Sequence, residues 1–237
     1  LSLKDRFKNI GYKVFLLIID PINGFKLIED DPDFLGPTLI IGFSIFLRII
    51  YEMLITRKIY IWNKMTSPEY ISLYSLRLSI IQLIIAMRVV EGIILLLVIF
   101  AIYYIFSYVL KGEGDSYTFL SAVGYMFTIQ MINFILALIF LLVFYPSFPN
   151  LMLIYDNDPF DLNVETFGYK IWFEESLSQL QRIVSFLGWF TTVWSAILGI
   201  FLLNIIRKIS IKKSIVGGII AYTVSAVISM FVQSIFG

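Results

Sequence analysis

A chain of 237 residues that is 59% hydrophobic and 15% charged, with a mean hydropathy of +0.88, is no ordinary soluble domain, in which the apolar share is about 45–50% and the charged share about 25%. Its formal net charge of +1 supplies no global basic field, which argues against nucleic acid as a partner. The absence of Cys and His removes disulfides, thiolate nucleophiles, the usual zinc sites and His-based acid–base catalysis. The class that remains is an integral membrane protein: an all-α, polytopic helix bundle.

Residues 1–34 carry Lys4, Arg6, Lys8, Lys13 and Lys26 among short apolar groups, the pattern of amphipathic helices lying on a headgroup surface. The apolar run Val14 to Ile19 is too short for a secretory h-region, so the N-terminus reads as uncleaved. Asp20-Pro21 and Asp31-Pro32 bound a short helix, because the residue before a proline is pushed out of the α region. Pro37 follows Gly36 at a position where a spanning helix tolerates proline, in its first turn. The first span is then 38–56.

Thr66-Ser67-Pro68-Glu69 is a helix start with a hydroxyl cap and a glutamate three residues on. Apolar character continues to Leu110, a length of about 64 Å that is too much for one crossing. A break near Arg88 to Gly92 is therefore expected, separating an interfacial amphipathic helix at 68–88, with Ser72, Ser75, Ser79 and Gln82 on one stripe, from a second span at 89–110. The turn Lys111 to Asp115 leads to a third span at 119–145. Residues 146–182, with Asp156, Asp158, Asp161, Glu165, Glu174 and Glu175, form an acidic outer loop. Spans four (183–206) and five (214–236) flank the basic turn Arg207 to Lys213. The whole is one 35–237 membrane domain behind the 1–34 region.

With the N-terminus inside, the cytoplasmic segments hold ten Lys/Arg and the outer ones seven, so the positive-inside rule places the N-terminus in the cytoplasm and the C-terminus on the outer face of a cell membrane. No Asn-x-Ser/Thr sequon occurs.

Arg48 lies near the middle of the first span, where insertion costs about 2.5–3.5 kcal/mol. Glu52 is one turn away on the same face, and Arg88 and Glu91 sit at the outer end of span two. As a cluster these four read either as an ion or proton path or, the plainer alternative, as structural pairs that fix register. Gln130 and Asn133 share a face at mid-membrane, and Asn204 is similarly placed; amides there usually bond a neighbouring helix. Gly217, Ala221, Ser225 and Ser229 repeat every four residues, a ladder that admits a close helix. Internal packing is its default reading and a homodimer face the sharper one. Tyr103, Tyr104, Tyr108, Tyr145, Tyr155, Trp172 and Trp189 fit interfacial aromatic belts. No residue pattern calls for a cofactor, a metal or a catalytic group.

Several stretches together resemble the Yip-type membrane proteins, the Ypt/Rab-interacting family, and their prokaryotic relatives. Asp33-Phe34-Leu35-Gly36-Pro37 is similar to that family's Asp-Leu-Tyr-Gly-Pro signature, with aromatic and leucine exchanged. Asp20-Pro21 to Ile28 resembles the prokaryotic Pro-x-x-x-Phe-x-x-Ile opening. Gly112-x-Gly114, Tyr117-Thr118-Phe119 and Gly124-Tyr125 resemble its glycine-rich turn and Gly-Tyr pair, without the proline usual a few residues later. Trp194-Ser195-Ala196-Ile197-Leu198-Gly199 and Ile209-Ser210-Ile211 resemble its fourth span and polar exit. The resemblance implies five spans, a cytosolic N-terminus and, in eukaryotes, small GTPase partners of the Rab type. The acidic loop is longer than the usual family connection and the N-terminal region is short.

The expected function is a non-enzymatic adaptor or scaffold that recruits a cytosolic partner or shapes the bilayer. The alternative is a small transporter, or a transport-complex subunit, working through the four charges. Topology is testable directly, because the background has no cysteine. A thiol at Lys212→Cys should be labelled only from the cytoplasmic side and one at Asp158→Cys only from outside; labelling of the first from outside would overturn the orientation.

Overall fold

The computed structural model describes residues 3–56, 59–63, 73–144, 151–155 and 169–236. Its elements are α1 (Leu3–Ile19), α2 (Pro21–Asp30), α3 (Leu35–Thr56), β1 (Ile59–Asn63), α4 (Leu73–Val109), α5 (Ser116–Met126), α6 (Thr128–Phe144), β2 (Leu151–Tyr155), α7 (Tyr169–Phe201), a π-helical turn (Leu202–Ile206) and α8 (Ile211–Phe236). Among the described residues, five stretches are long and apolar enough to cross a membrane: Leu35–Leu54, Ile85–Val109, Ser116–Phe144, Arg182–Ile206 and Ile211–Val232. The protein is thus a multi-pass helical membrane protein. Many large apolar side chains on these helices, Phe46, Leu97, Phe186 and Val227 among them, are exposed, as lipid-facing surfaces require, while backbone polar groups are satisfied within each helix.

Two compact units are present. The first comprises Leu1–Phe46, Arg88–Asn133 and Gly188–Gly237. In it, α1 and α2 meet closely, since a Cβ on Gly24 would lie 3.0 Å from the backbone nitrogen of Leu17. Asp20 caps α2 by accepting from the Asn23 amide at 3.2 Å, with Pro21 in the first turn. Leu17, Phe25 and Ile28 are fully buried and join Phe119, Val123, Leu202 and Ile206 in one core. The second unit comprises Leu47–Met87 and Phe134–Leu187. There Leu141 is buried against Tyr51, Leu54, Leu138 and Val184.

Several expectations change. The chain passes Arg88 to Gly92 without a break, because α4 is one continuous helix; nothing at 88–92 is a strong helix breaker, and a lone glycine costs a helix only about 1 kcal/mol. The stretch 169–182 of the acidic connection is helical, as the beginning of α7. The third span is two helices, with the Phe127 amide bonding back to the Gly124 carbonyl at 3.2 Å where they join. Strands β1 and β2 pair in parallel, Ile59 opposite Leu151 and Asn63 opposite Tyr155, which brings the segments after α3 and α6 to the same side, the arrangement expected of two connections on one face of the membrane. Thr66 to Glu69, Ser72, Tyr145, Asp156, Asp158, Asp161 and Glu165 lie outside the described residues, as do the side chains of Ser75, Ser79, Gln82, Tyr155, Trp172, Glu174 and Glu175.

The small-residue ladder of α8 is drawn inward. A Cβ on Gly217 would stand 2.4 Å from Leu110 Cδ1, and Ala221 is fully buried. Ala221→Leu should lower stability by about 1–3 kcal/mol, read as a lower melting temperature in detergent, whereas Ile220→Leu, on the 44% exposed neighbour, should change it little. Equal melting of the two variants would contradict this packing.

Candidate functional site

The four residues between α2 and α3 must reverse the chain into the first span, and Asp33 organises that reversal. Its Oδ1 accepts from the Gly36 amide at 2.6 Å, satisfying a donor that the first turn of α3 would leave free. Its Oδ2 accepts from Lys13 Nζ at 2.7 Å and from Tyr125 Oη at 2.8 Å. Its backbone is held as well: Ser121 Oγ donates to the Asp33 carbonyl at 2.6 Å and accepts from its amide at 3.2 Å. One residue therefore ties α1, α3 and α5 together.

Lys13 is the counter-charge. It is fully buried, donates also to the Asp31 carbonyl, lies 3.4 Å from the Asp31 carboxylate and stands 5.6 Å from the centre of the Tyr125 ring. In the sequence this lysine reads as one of the surface cations. The structure places it inside, because a cation there has two carboxylates and a carbonyl to replace water. Burial pushes the Asp33 carboxyl upward in pKa, but hydrogen bonds from Lys13, the Gly36 amide and Tyr125, with the lysine charge, outweigh it and hold the group below the ordinary value.

Two glycines let this happen. A Cβ on Gly36 would fall 2.0 Å from Tyr125 Oη, and one on Gly124 would fall 2.4 Å from Pro37 Cβ. A third stands deeper, where a Cβ on Gly199 would be 2.1 Å from Tyr103 Oη. Tyr103 is 1% exposed, so it is not part of an interfacial belt. Its ring fills the notch that Gly199 leaves. Trp194 Nε1 donates to the Leu17 carbonyl at 3.3 Å, binding α1 to α7.

Beside this lock the two tight turns of the same unit are clamped by Arg207. Its guanidinium donates to the Gly114 and Gly112 carbonyls at 2.6 and 3.2 Å and lies over the Tyr104 and Phe119 rings at 5.3 and 5.4 Å, geometry available to a planar cation and not to lysine. The Glu113 amide returns a bond to the Arg207 carbonyl at 2.9 Å. Gly114 sits at φ +126°, where a Cβ would also meet the Ile206 carbonyl at 2.5 Å, so only glycine serves. Asp115 caps α5 through the Thr118 amide at 2.9 Å, and the amide hydrogen bonds of that first turn lower its carboxyl pKa. Lys208 reaches Glu29 at 3.3 Å. Asn204 bonds the Ile209 carbonyl at 2.8 Å within its own turn and not a neighbouring helix.

The Yip1 domain model matches residues 15–232. The chain belongs to the Yip1 family. No curated protein and no solved structure matches it. The residues whose pattern resembles the family signature, Asp33, Gly36, Pro37, Gly124 and Tyr125, converge on one lock, and Trp194 and Gly199 receive α1 and Tyr103. Lys13 and Ser121, which complete the lock, and Arg207, which clamps the turns beside it, carry no distinguishing sequence signal.

Arg48 pairs with Glu52 at 3.2 Å, and Arg88 pairs with Glu91 at 2.7 Å with the Glu91 side chain 1% exposed. Among the described residues no group of three or more Asp or Glu is placed to hold a metal. Near Asp33 a cleft of about 350 Å³ is lined by Arg6, Asn9, Asp31, Phe34, Leu35 and Tyr117, with Phe34 edge-on to Tyr117 at 4.6 Å.

If the lock acts as a unit, Lys13→Met and Asp33→Asn should each destabilise, and the double variant should cost less than their sum by about 0.5–3 kcal/mol in a melting cycle. The lowered Asp33 pKa also fixes a pH dependence. Its stabilisation is present above the ordinary carboxylate value, about 3.8, and is lost as pH falls through the lower folded-state value. The wild-type acid limb should therefore be steeper than that of Asp33→Asn; identical limbs would remove Asp33 from that role.

Proposed function

We propose that this Yip1 protein is a non-enzymatic adaptor of the cell membrane, needing no cofactor, with its N-terminus cytoplasmic and its C-terminus on the outer face. The observation that carries the reading is the Asp33 lock, which holds α1 and α2 as a fixed platform on the spans. Free amphipathic arms would lose much of their binding energy to ordering, whereas a docked platform does not.

The platform offers two surfaces. Tyr12, Phe15 and Ile19 are exposed by 54, 54 and 58% at spacings of three and four, with Lys8 and Lys4 continuing the same side of α1. That stripe suits the headgroup region of an anionic leaflet, where each cation near the surface contributes about 1 kcal/mol, and wedging there would shape the membrane. The cleft of Arg6, Asn9, Phe34 and Tyr117 suits a protein partner, for which a small GTPase is the first choice on family grounds.

The transporter reading needs an aqueous path through Arg48, Glu52, Arg88 and Glu91. The observation that weighs against it is that each arginine already has a carboxylate on its own helix, the arrangement of a structural pair. A homodimer through the α8 ladder has little support either, since Gly217, Ala221 and Ser225 are buried within the chain.

Lys4, Arg6 and Lys8 are exposed, so changing all three to Gln should leave melting unchanged and abolish capture of a cytosolic partner from native membranes. Proteoliposomes carrying the wild type should show no substrate or proton flux. Retention of every partner by the triple variant, together with a flux that Arg48→Met/Glu52→Gln abolishes, would replace the adaptor by the transporter.

A further inference from the structure

The cleft of about 350 Å³ beside the Asp33 lock, within the size range of small-molecule sites, is lined by opposite charges that the fold does not use up. Arg6 is exposed and has no hydrogen bond or ion pair among the described residues. Asp31 is half used: its Oδ2 accepts from Asn9 Nδ2 at 2.6 Å and lies 3.4 Å from Lys13 Nζ, while its Oδ1 has no partner among the described residues. The Asp31 side chain is 53% exposed, and the rings of Phe34 and Tyr117 are exposed by 40 and 46%. These groups reach the surface, so a ligand can meet them.

The cleft lies at the end of two spans. Leu35 opens the stretch Leu35–Leu54, and Tyr117 is the second residue of Ser116–Phe144, which sets the lining at the level where hydrocarbon gives way to headgroups. From Leu35 the exposed residues Leu39, Phe43 and Phe46 follow at spacings of four, four and three on one side of α3. That strip is about 16 Å long, close to the hydrocarbon depth of one leaflet, about 15 Å. A molecule with its polar end in the cleft and acyl chains below it would therefore follow a surface that faces lipid.

The charges select among headgroups. A guanidinium such as that of Arg6 suits a phosphodiester, whose oxygens it holds through two N–H groups. Asp31 Oδ1 accepts and cannot donate, so it calls for a donor that also brings positive charge. A primary ammonium brings three donors and no acceptor, and aromatic faces favour a cation as well. Choline has the charge without the donors and would cover the Asp31 oxygen while leaving it unpaired. A glycerol headgroup has donors without the charge, so its phosphate would come to a cleft that holds Asp31 with no ammonium to offset the repulsion. We propose that this cleft binds the headgroup of a phospholipid carrying a primary amine, of the phosphatidylethanolamine class, with its phosphate on Arg6, its ammonium on Asp31 and its acyl chains along Leu35, Leu39 and Phe43. The inference rests on the adaptor reading, which takes the same cleft for a cytosolic partner: a headgroup seated there forms part of the surface that the partner meets.

The test uses the purified full chain in mild detergent, titrated with phosphatidylethanolamine, phosphatidylcholine and phosphatidylglycerol of the same acyl chains, with retained lipid counted by native mass spectrometry. One phosphatidylethanolamine should be retained with a Kd at least about tenfold below those of the other two. Arg6→Gln should weaken that binding by about tenfold or more, and since Arg6 is exposed its melting should be unchanged. Asp31→Asn should bring phosphatidylethanolamine to the level of phosphatidylcholine; Arg6→Gln keeps the test decisive if the Asp31 variant, which also loses its contact with Lys13, fails to fold. Lys213→Gln, which changes an exposed cation outside the cleft, should alter nothing. Equal retention of the three lipids, a preference that Arg6→Gln leaves intact, or no retained lipid, the result for a cleft that holds only water, would each overturn the proposal. None of these outcomes bears on partner capture, which is read separately in native membranes.

Discussion

The structure depends first on a carboxylate that is shared. Asp33 has four ties, to Lys13, Gly36, Ser121 and Tyr125. A buried lysine is costly on its own, and its attraction to a carboxylate repays that cost only where the remaining lone pairs and protons also find partners. Here they do, so the charge pair becomes an anchor for the N-terminal helices instead of a defect in the core.

Glycine positions carry the second constraint. At Gly36, Gly124 and Gly199 the absent Cβ is the space into which Tyr125, Pro37 and Tyr103 fit. In lipid there is no hydrophobic gain from bringing helices together, so close contact and hydrogen bonds must supply the association. Notches filled by tyrosine supply close contact, and for Tyr125 they supply a hydrogen bond too. At Tyr103, whose hydroxyl has no partner among the described residues, the notch at Gly199 supplies close contact alone.

How far the sequence foretold this depended on whether a residue's role was local. The Pro and Gly breakers around α2 and α3, and the apolar runs of the spans, act through backbone and composition, so they were readable. The signature Asp33 to Pro37 was readable as a resemblance, although its meaning was not, because the partners Ser121 and Tyr125 lie 88 and 92 residues away. Lys13 and Arg207 misled for one reason: a cation next to an apolar run reads as a solvated boundary charge, and only tertiary contacts show that each replaces water with oxygens and ring faces. The strand pair was hidden because Ile59 to Asn63 and Leu151 to Tyr155 are short runs inside segments that read as connections, and their pairing joins residues 92 apart in the chain.

The span of chain between the two halves of the Asp33 lock sets an order on biogenesis. Tyr125 is synthesised 92 residues after Asp33, about 5–20 s at the usual elongation rates, and Trp194, which donates to the Leu17 carbonyl, comes 177 residues after Leu17. During that interval α1 and α2 have left the ribosome without a seat, and Lys13 must stay hydrated on the side where it was made. α1 and α2 are thus translated well before the residues that seat them, so their docking on the spans is a late step in the making of this unit.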